Sequence, residues 1–375
     1  MENNDSICYV ARINEIRPIE GADKIEQIIV GGWNCIAQKN LYNVDDLVIV
    51  ATTDAVIPEE LAEELSVTSY LRKGNRVRTV KLRGVYSECL LIPYSLAFTF
   101  VHKEGDDLMY ELGISKYEPP VKQIRLSSGK KIRYQDNPNF HVYYKFPNLK
   151  NVAGMFTEED TVEITRKIHG TNARYGIVKK TKLVFWDKVK KFFGLADKWI
   201  DYEFVVGSHN VEKGSDSQGF YDTNVWFIIA KNYGIKEKLW EYVKSVAMEP
   251  EIGDGITIYG EIYGAGIQKN YEYGLTDIEF VAFDVKENGE YLSPINSKLL
   301  IKHILELPYV EILHFGNWSQ EVQDQFVFNN FIAGTKIPEE GIVIKYHTGE
   351  RSKVAKVINP DYLIYGEKHD IGDSH

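Results

Sequence analysis

The chain has 375 residues, 44% of them hydrophobic and 26% charged, and a formal net charge of −10. That length suits two domains with their own cores and excludes a disulfide-stapled mini-protein; three cysteines (Cys8, Cys35, Cys89) in no metal-like spacing fit a reducing compartment and speak against a zinc site. No apolar run approaches the ~20 residues of a membrane span and no secretory leader is evident, so the expectation is a cytoplasmic protein with no membrane partner.

The first stretch, residues 1–100, reads as short strands with tight turns. Cys8–Ile13, Ile25–Val30, Asn34–Gln38 and Leu47–Val50 are β-rich runs separated by Glu20-Gly-Ala-Asp23, Gly31-Gly32 and Asn43-Val-Asp-Asp46. Val77–Leu82 and Glu88–Ile92 add two more around Arg83-Gly84, and the close spacing predicts a small barrel. Pro58–Leu65 predicts a helix with proline in its first turn. Residues 101–140 read as a basic connector, with Pro119-Pro120 and Asn137-Pro138 disfavouring helix and Tyr117–Pro120 expected to be extended.

The remainder, residues 141–375, mixes strands with helices. Val162–Thr165, Ala173–Val178, Ile256–Tyr259, Phe280–Val285 and Ile342–Tyr346 are strand-like, whereas Trp226–Tyr233, Lys236–Val246 and Ser297–Glu306 have helical spacing. The order predicts an α+β domain of largely antiparallel sheets, not a βαβ alternation. Three cation clusters stand out in this acidic chain: Arg72 to Arg83, residues 121–150, and Lys179 to Lys198. Each alone reads as a solvated face. Together they favour contact with a phosphate backbone.

Chemistry concentrates in a series of short motifs. Lys167-Ile-His-Gly170 is followed by Thr171-Asn172, and downstream come Tyr259-Gly-Glu-Ile-Tyr-Gly264, Phe280-Val-Ala-Phe-Asp284, Glu339-Glu-Gly-Ile-Val-Ile-Lys345 and Lys353-Val-Ala-Lys356. A lysine that attacks phosphorus must be neutral, and an unperturbed lysine of pKa ~10.4 is neutral only about once in 2500 at pH 7. Positive neighbours such as Lys345 and Lys356, or a metal, would lower that barrier. Gly170 would let backbone and nucleotide phosphates approach without a Cβ in the way.

The Lys-x-x-Gly spacing also occurs at Lys81, Lys191, Lys231 and Lys286, so spacing alone selects nothing; position between two strands and upstream of both acid motifs selects Lys167. Glu261, beside Gly260 at the expected end of an apolar run, and Glu340, before a strand, suit ribose or metal-water contacts, and equally suit solvent. Phe283 alternates with core residues and is either packing or a platform for adenine. His169 has no second ligand at metal spacing and is expected to orient the lysine loop.

Together these motifs resemble the covalent nucleotidyltransferase superfamily, specifically RNA ligases of the RNA ligase 2 kind. Lys167–Asn172 is similar to that branch's first motif, and Gly260–Asn270 to its third and the segment after it. Val10-Ala-Arg-Ile13 and Pro18–Ile25 are similar to the OB domain of the subgroup that carries this fold ahead of its catalytic module. The resemblance implies an N-terminal OB-like barrel, then an adenylation domain covering 141–375. It implies ATP and Mg²⁺ or Mn²⁺, a lysyl-AMP at Lys167, and three-step joining of RNA 3′-hydroxyl and 5′-phosphate ends in RNA repair.

It also assigns Glu261 to ribose or metal water, Phe283 to adenine and Glu340 to metal. Lys345 and Lys356 go to phosphates, and Asn172 to the joining step. The implied partner is nicked or broken RNA, in duplex form, bound by a monomer. His209 stands where an arginine that contacts phosphate or ribose follows serine in the family, and Val354 where the late motif often has lysine. Lys353 lies one residue earlier and would face the other way on a strand. The alternatives are a DNA ligase or capping-type enzyme with the same lysine chemistry, and a non-catalytic RNA-binding protein retaining the fold.

Overall fold

The computed structural model describes residues 6–53, 55–96, 101–117, 137–183, 185–195, 199–209, 212–213, 224–246, 253–369 and 371. The barrel sheet comes from β1 (Cys8–Pro18), β2 (Ile25–Val30), β3 (Trp33–Gln38) and β4 (Leu47–Thr52), followed by the short β5 (Ala55–Val56), helix α1 (Glu59–Glu64), β6 (Val80–Leu82), β7 (Val85–Ser87), β8 (Cys89–Pro93) and β9 (Ser115–Lys116). Five of these form an antiparallel sheet in the order β3-β2-β1-β4-β8.

Strand β1 is long enough to serve both halves. Cys8–Arg12 pairs with β4, Ile13–Pro18 pairs with β2, and a register shift lies between Ile13 and Glu15. Such an irregularity bends a strand and lets a sheet curl. Alternation along β2, whose every second residue is buried, turns Ile28 and Val30 into the core with Trp33 and Val48. Gly31 and Gly32 make the β2–β3 hairpin loop. A Cβ on Gly32 would collide with the Lys150 backbone of the second domain, so the glycine permits close contact between the two.

The expected connector starts too early. Leu108 and Ile114 are buried with Ile49, Ile57 and Ala62, because the apolar residues of 101–117 complete the barrel core. Residues 118–136, including most of the second cation cluster and Glu118–Pro120, lie outside the described residues.

The second domain contains β10 (Thr161–Lys167), β11 (Thr171–Lys179), α2 (Phe185–Phe192), β12 (Tyr202–Gly207), α3 (Val225–Asn232), α4 (Ile235–Val246), β13 (Gly255–Gly264), β14 (Ile278–Glu287) and β15 (Glu290–Tyr291). After these come α5 (Pro294–Lys298) with a π-helical continuation over Leu299–Ile304, β16 (Ile312–Asn317), α6 (Gln320–Val327), β17 (Gly341–Tyr346), β18 (Val354–Ile358) and α7 (Pro360–His369). Two antiparallel sheets result, β16-β10-β17-β18 and β12-β11-β13-β14-β15.

The predicted α+β class and antiparallel pairing are both present. Helices α3 and α4 bury Trp226, Ile229 and Leu239 against the larger sheet, and α6 buries Val327 against the smaller. Consecutive strands β10 and β11 belong to different sheets, so residues 168–170 carry the chain from one to the other. Ion pairs Lys150–Glu88 and Arg78–Glu367 (2.8 Å) join the barrel to this domain. No helix among the described residues is long and apolar enough to cross a membrane.

Candidate active site

Lys167 is the last residue of β10 and sits opposite Gly341, the first residue of β17. This register brings its Nζ onto Glu340 Oε1, and Glu340 is completely buried. The neighbouring pair repeats the arrangement, with Arg166 bonded to Glu339 and, at 2.7 Å, to Glu311. The amine's immediate partner is therefore an acid where a positive neighbour was expected: the β10–β17 register sets Glu340 against it, while Glu339 is taken up by Arg166. Lys345 is instead taken up by Phe283 O at 2.7 Å and Asp284 Oδ2 at 3.3 Å.

Glu261 lies inside β13, not at a strand end. The apolar run pauses at Gly260, but backbone pairing to Asn172 and Val281 carries the strand through. Burial pushes its carboxyl up to about 8; the nearby Lys167 lowers it, and the Glu340 charge raises it further. That shift disfavours the ionised form of Glu261 until a positive charge binds beside it. A Cβ on Gly170 would meet the Ile262 carbonyl and the Glu261 side chain. That glycine admits the close backbone approach expected of it, and the backbone is that of β13.

His169 turns away from the cavity. Its backbone N–H donates to Tyr273 Oη (2.7 Å), its Nδ1 bonds Tyr362 Oη of α7 (3.0 Å), and its ring meets Tyr271 edge-on at 4.9 Å. It anchors the lysine loop, as expected.

A cavity of about 790 Å³ opens between the barrel and both sheets of the second domain. Lys167, Asn172, Glu261, Phe283, Lys345 and Lys356 all line it, as does His209, while Arg72, Arg76, Arg78 and Lys116 face it from the barrel side. The half-exposed Phe283 ring is braced edge-on by Tyr143 at 5.1 Å, a geometry suited to a flat ring on its open face. Asn172 Oδ1 is buried without a hydrogen-bond partner in the structure. A depression of comparable volume, about 800 Å³, lies by Trp199 and Trp240 on α4, far from these motifs, so volume alone does not select a site.

The structure brings those seven candidates to one cavity, while the eighth, Glu340, lies buried against Lys167 and does not line it; what holds them was not foreseen. Buried Asp284 accepts from Lys345, Arg351 (2.7 Å), Tyr143 (2.9 Å) and Ser297 (3.2 Å). Burial alone would raise its pKa, but Lys345 and Arg351 outweigh that and keep the carboxyl below its ordinary value. Buried Arg174 donates to Ser208 O (2.7 Å) and Phe140 O (2.8 Å), fixing the loop that carries His209. The one hint was an arginine interrupting the apolar run 173–178. Lys353 pairs with Asp160 at 2.8 Å outside the cavity, and Val354 is buried, so the late motif offers Lys356 alone.

Burial, then the charges of Arg174 and Lys145, push the His209 imidazole below its ordinary 6.5, leaving it neutral at pH 7. Affinity for a phosphate-bearing ligand at this wall of the cavity should therefore rise only as pH falls below about 6.5, by about fivefold for one charge-assisted hydrogen bond. The His209→Asn protein should show no such rise. Binding titrations from pH 5.5 to 8 check this, and an identical rise in both proteins would remove His209 from phosphate contact.

Among the described residues no cluster of three or more His, Cys, Asp or Glu surrounds a single point. Two carboxyl groups beside the amine, one disfavoured as an anion until a positive charge binds, nevertheless fit Mg²⁺ or Mn²⁺ held mostly by water and substrate phosphate.

Comparison with known proteins agrees with this geometry. The family model described as RNA ligase matches residues 160–358, and one described as an OB-fold domain matches residues 7–94. No curated protein matches the sequence significantly. Among solved structures, Naegleria gruberi RNA ligase with PPi superposes with a TM-score of 0.69 at 23% identity, covering 97% of this chain and 99% of that one. A mutant of the same ligase with ATP and Mn gives a TM-score of 0.70 at 23% identity, and another with AMP and Mn gives 0.68 at 22%; each covers 97% of this chain and 99% of that one. At such identity the likeness establishes the fold.

Proposed function

The chain belongs to the RNA ligase family, whose model spans more than half of it, and from that premise we propose that it joins RNA ends through an adenylylated Lys167. The observation carrying this reading is convergence: an amine, an acid (Glu261), an aromatic wall and two lysines from five separate strands line one cavity, with Glu340 buried directly against the amine. ATP is the proposed nucleotide, in keeping with the ATP, AMP and PPi complexes of the Naegleria ligase.

In the first step the Lys167 Nζ lone pair attacks the α-phosphorus and the bond to the pyrophosphate oxygen breaks, leaving a phosphoramidate. The amine must first lose a proton, and Glu340 Oε1 is placed to accept it. Phe283 positions the base, Glu261 the ribose, and Lys345 and Lys356 the phosphates. An RNA 5′-phosphate oxygen then attacks the same phosphorus and frees Lys167. In the last step a 3′-hydroxyl attacks the RNA 5′-phosphorus and releases AMP, with Asn172 beside the reacting ends. Glu261 and Glu340 would hold a divalent metal or its waters; when bound, that metal supplies charge neutralisation at the α-phosphate.

Incubation with α-labelled ATP or GTP, denaturation and counting of protein-bound label tests the reading. Label from ATP supports it, label from GTP alone points to capping chemistry, and no label favours an RNA-binding protein without catalysis. Glu340→Gln removes the proton acceptor at constant volume and should lower labelling by about 10²–10⁴-fold. Labelling equal to wild type would contradict the role given to Glu340.

The proposed RNA partner is a broken or nicked duplex, gripped by a barrel unit that runs on through residue 117 and is joined to the adenylation domain (141–375), in a monomer acting in repair. Arg72, Arg76 and Arg78 face the cavity from the barrel and suit phosphates. Raising salt from about 50 to 200 mM should weaken RNA binding steeply, and Arg72→Ala should reduce the magnitude of that log–log slope by roughly one. A slope unchanged by Arg72→Ala would place that cation outside the interface.

A further inference from the structure

The third cation cluster does not reach the site just described. It lies on the excursion between β11 and β12. Strand β11 starts at Thr171 beside the lysine loop and ends at Lys179, eight residues on, or about 26 Å at strand rise. Helix α2 follows at that remote end. Lys191 pairs with Asp201 at 2.8 Å and Lys180 N–H donates to Asp201 O at 2.8 Å, tying the excursion to the start of β12. Gly194, with φ +68°, stops the helix, and Leu195 N–H closes back on Lys190 O at 2.8 Å.

The helix is segregated by chemistry. At helical spacing Phe192, Val189, Phe193 and Trp186 span an arc of about 120°. Lys188 and Lys190 fall on the two edges of that arc and Lys191 behind it. Four apolar side chains of the helix and the turn after it are open to solvent: Phe192 is 84% exposed, Phe193 67%, Leu195 76% and Trp186 69%. Phe192 and Phe193 touch each other edge-on at 5.2 Å, and neither they nor Leu195 join any core cluster among the described residues. Between Lys179 and Lys191 the sequence carries six lysines against Asp187 alone, in a chain that is otherwise strongly acidic.

We infer that α2 and the turn after it form a peripheral docking surface for an anionic phospholipid bilayer. The apolar arc enters the acyl boundary, and the edge lysines lie at headgroup level. A base-stacking surface for RNA would set cations and rings on the same face, whereas here the rings hold one face and the lysines its borders and back. The charge complements acidic headgroups, and exposed Trp and Phe suit the interface. That no helix among the described residues is long and apolar enough to span a bilayer does not oppose this, since a helix lying in the interface needs no span. The distance along β11 leaves the catalytic cavity open while the helix is docked.

Cosedimentation of the full chain with vesicles tests the inference. The probes are phosphatidylcholine vesicles containing about one-third phosphatidylserine, and pure phosphatidylcholine vesicles. The wild type should bind the anionic vesicles and not the neutral ones. Phe192→Ser, Phe193→Ser and Leu195→Ser combined should cut binding by at least about tenfold. Lys188→Glu with Lys190→Glu should do the same, with adenylylation of Lys167 unchanged in both proteins as a check on folding. No binding by the wild type, or full binding by the apolar triple variant, overturns the inference. Loss of RNA affinity in these variants without any vesicle binding overturns it too, and assigns the helix to RNA.

Discussion

Lys167→Arg is expected to keep the folded stability of the wild type yet retain no AMP after denaturation, whereas Lys167→Ala should lose both label and stability. The ion pair with Glu340 separates these outcomes. Glu340 is fully buried and its Oε1 accepts from Lys167. Alanine leaves that carboxylate without its cation. Breaking a buried pair costs about 3–5 kcal/mol, but the Lys167 side chain is 19% exposed and Glu340 can take up a proton, so about 1–3 kcal/mol is the expected loss. Arginine restores the cation but does not become neutral at usable pH, so it cannot attack phosphorus. Labelling in both variants should fall by at least about three orders of magnitude. Thermal unfolding measured beside protein-bound label gives both readouts. Label retained by the arginine protein would mean that another residue carries AMP.

The same ion pair shows where sequence stops informing. Lys167 was recognisable because it lies between strand-like runs and precedes the acid motifs in order. Its charged surroundings were not, since Glu340 is 173 residues away and only the β10–β17 register brings them together. Strand runs with strong apolar periodicity, such as those around Ile177, Ile258 and Ile344, were legible because each buries at least one face of a sheet.

Strands β12, β16 and β18 were not foreseen. β12 mixes Tyr202 and Glu203 with valines, β16 holds His314 and Gly316, and β18 is only five residues long, so pairing partners decide their state. Helix α7 is marked by Pro360, but its stability comes from Tyr362 packing with Tyr271 and bonding His169, contacts that local spacing does not reveal. Gly170 was legible as a position of close backbone approach, but which strand approaches it was not. Arg174 and Asp284 escaped notice because each looks like an ordinary polar residue on a strand until its buried partners are known.

Asp284 carries the second large effect. Its carboxylate joins Lys345 on β17, Arg351 just beyond that strand, Tyr143 and Ser297, so one side chain ties four parts of the catalytic domain together. Asp284→Ala would leave Lys345, 2% exposed, with a single carbonyl partner and Arg351 without its carboxylate. A loss of about 3–5 kcal/mol is expected, seen as an earlier denaturation midpoint. Asp284→Asn keeps the shape and removes the charge, so it should lose less stability and still fold.

In that asparagine protein Lys345 keeps its bond to the Phe283 carbonyl but loses the carboxylate charge that fixes it, and labelling from ATP should drop by about ten- to a hundredfold through misplacement of the phosphates. The pH dependence has a definite sign. A carboxyl held below its ordinary value stabilises fully above the unfolded value of about 3.9, and the contribution fades as pH falls through the folded value. The stability gap between wild type and Asp284→Asn should therefore be constant above pH 5 and shrink below about pH 4. A gap that persists undiminished into strong acid would show that shape, not charge, is what Asp284 contributes. Labelling by Asp284→Asn at the wild-type rate would show that Lys345 reaches phosphate without it.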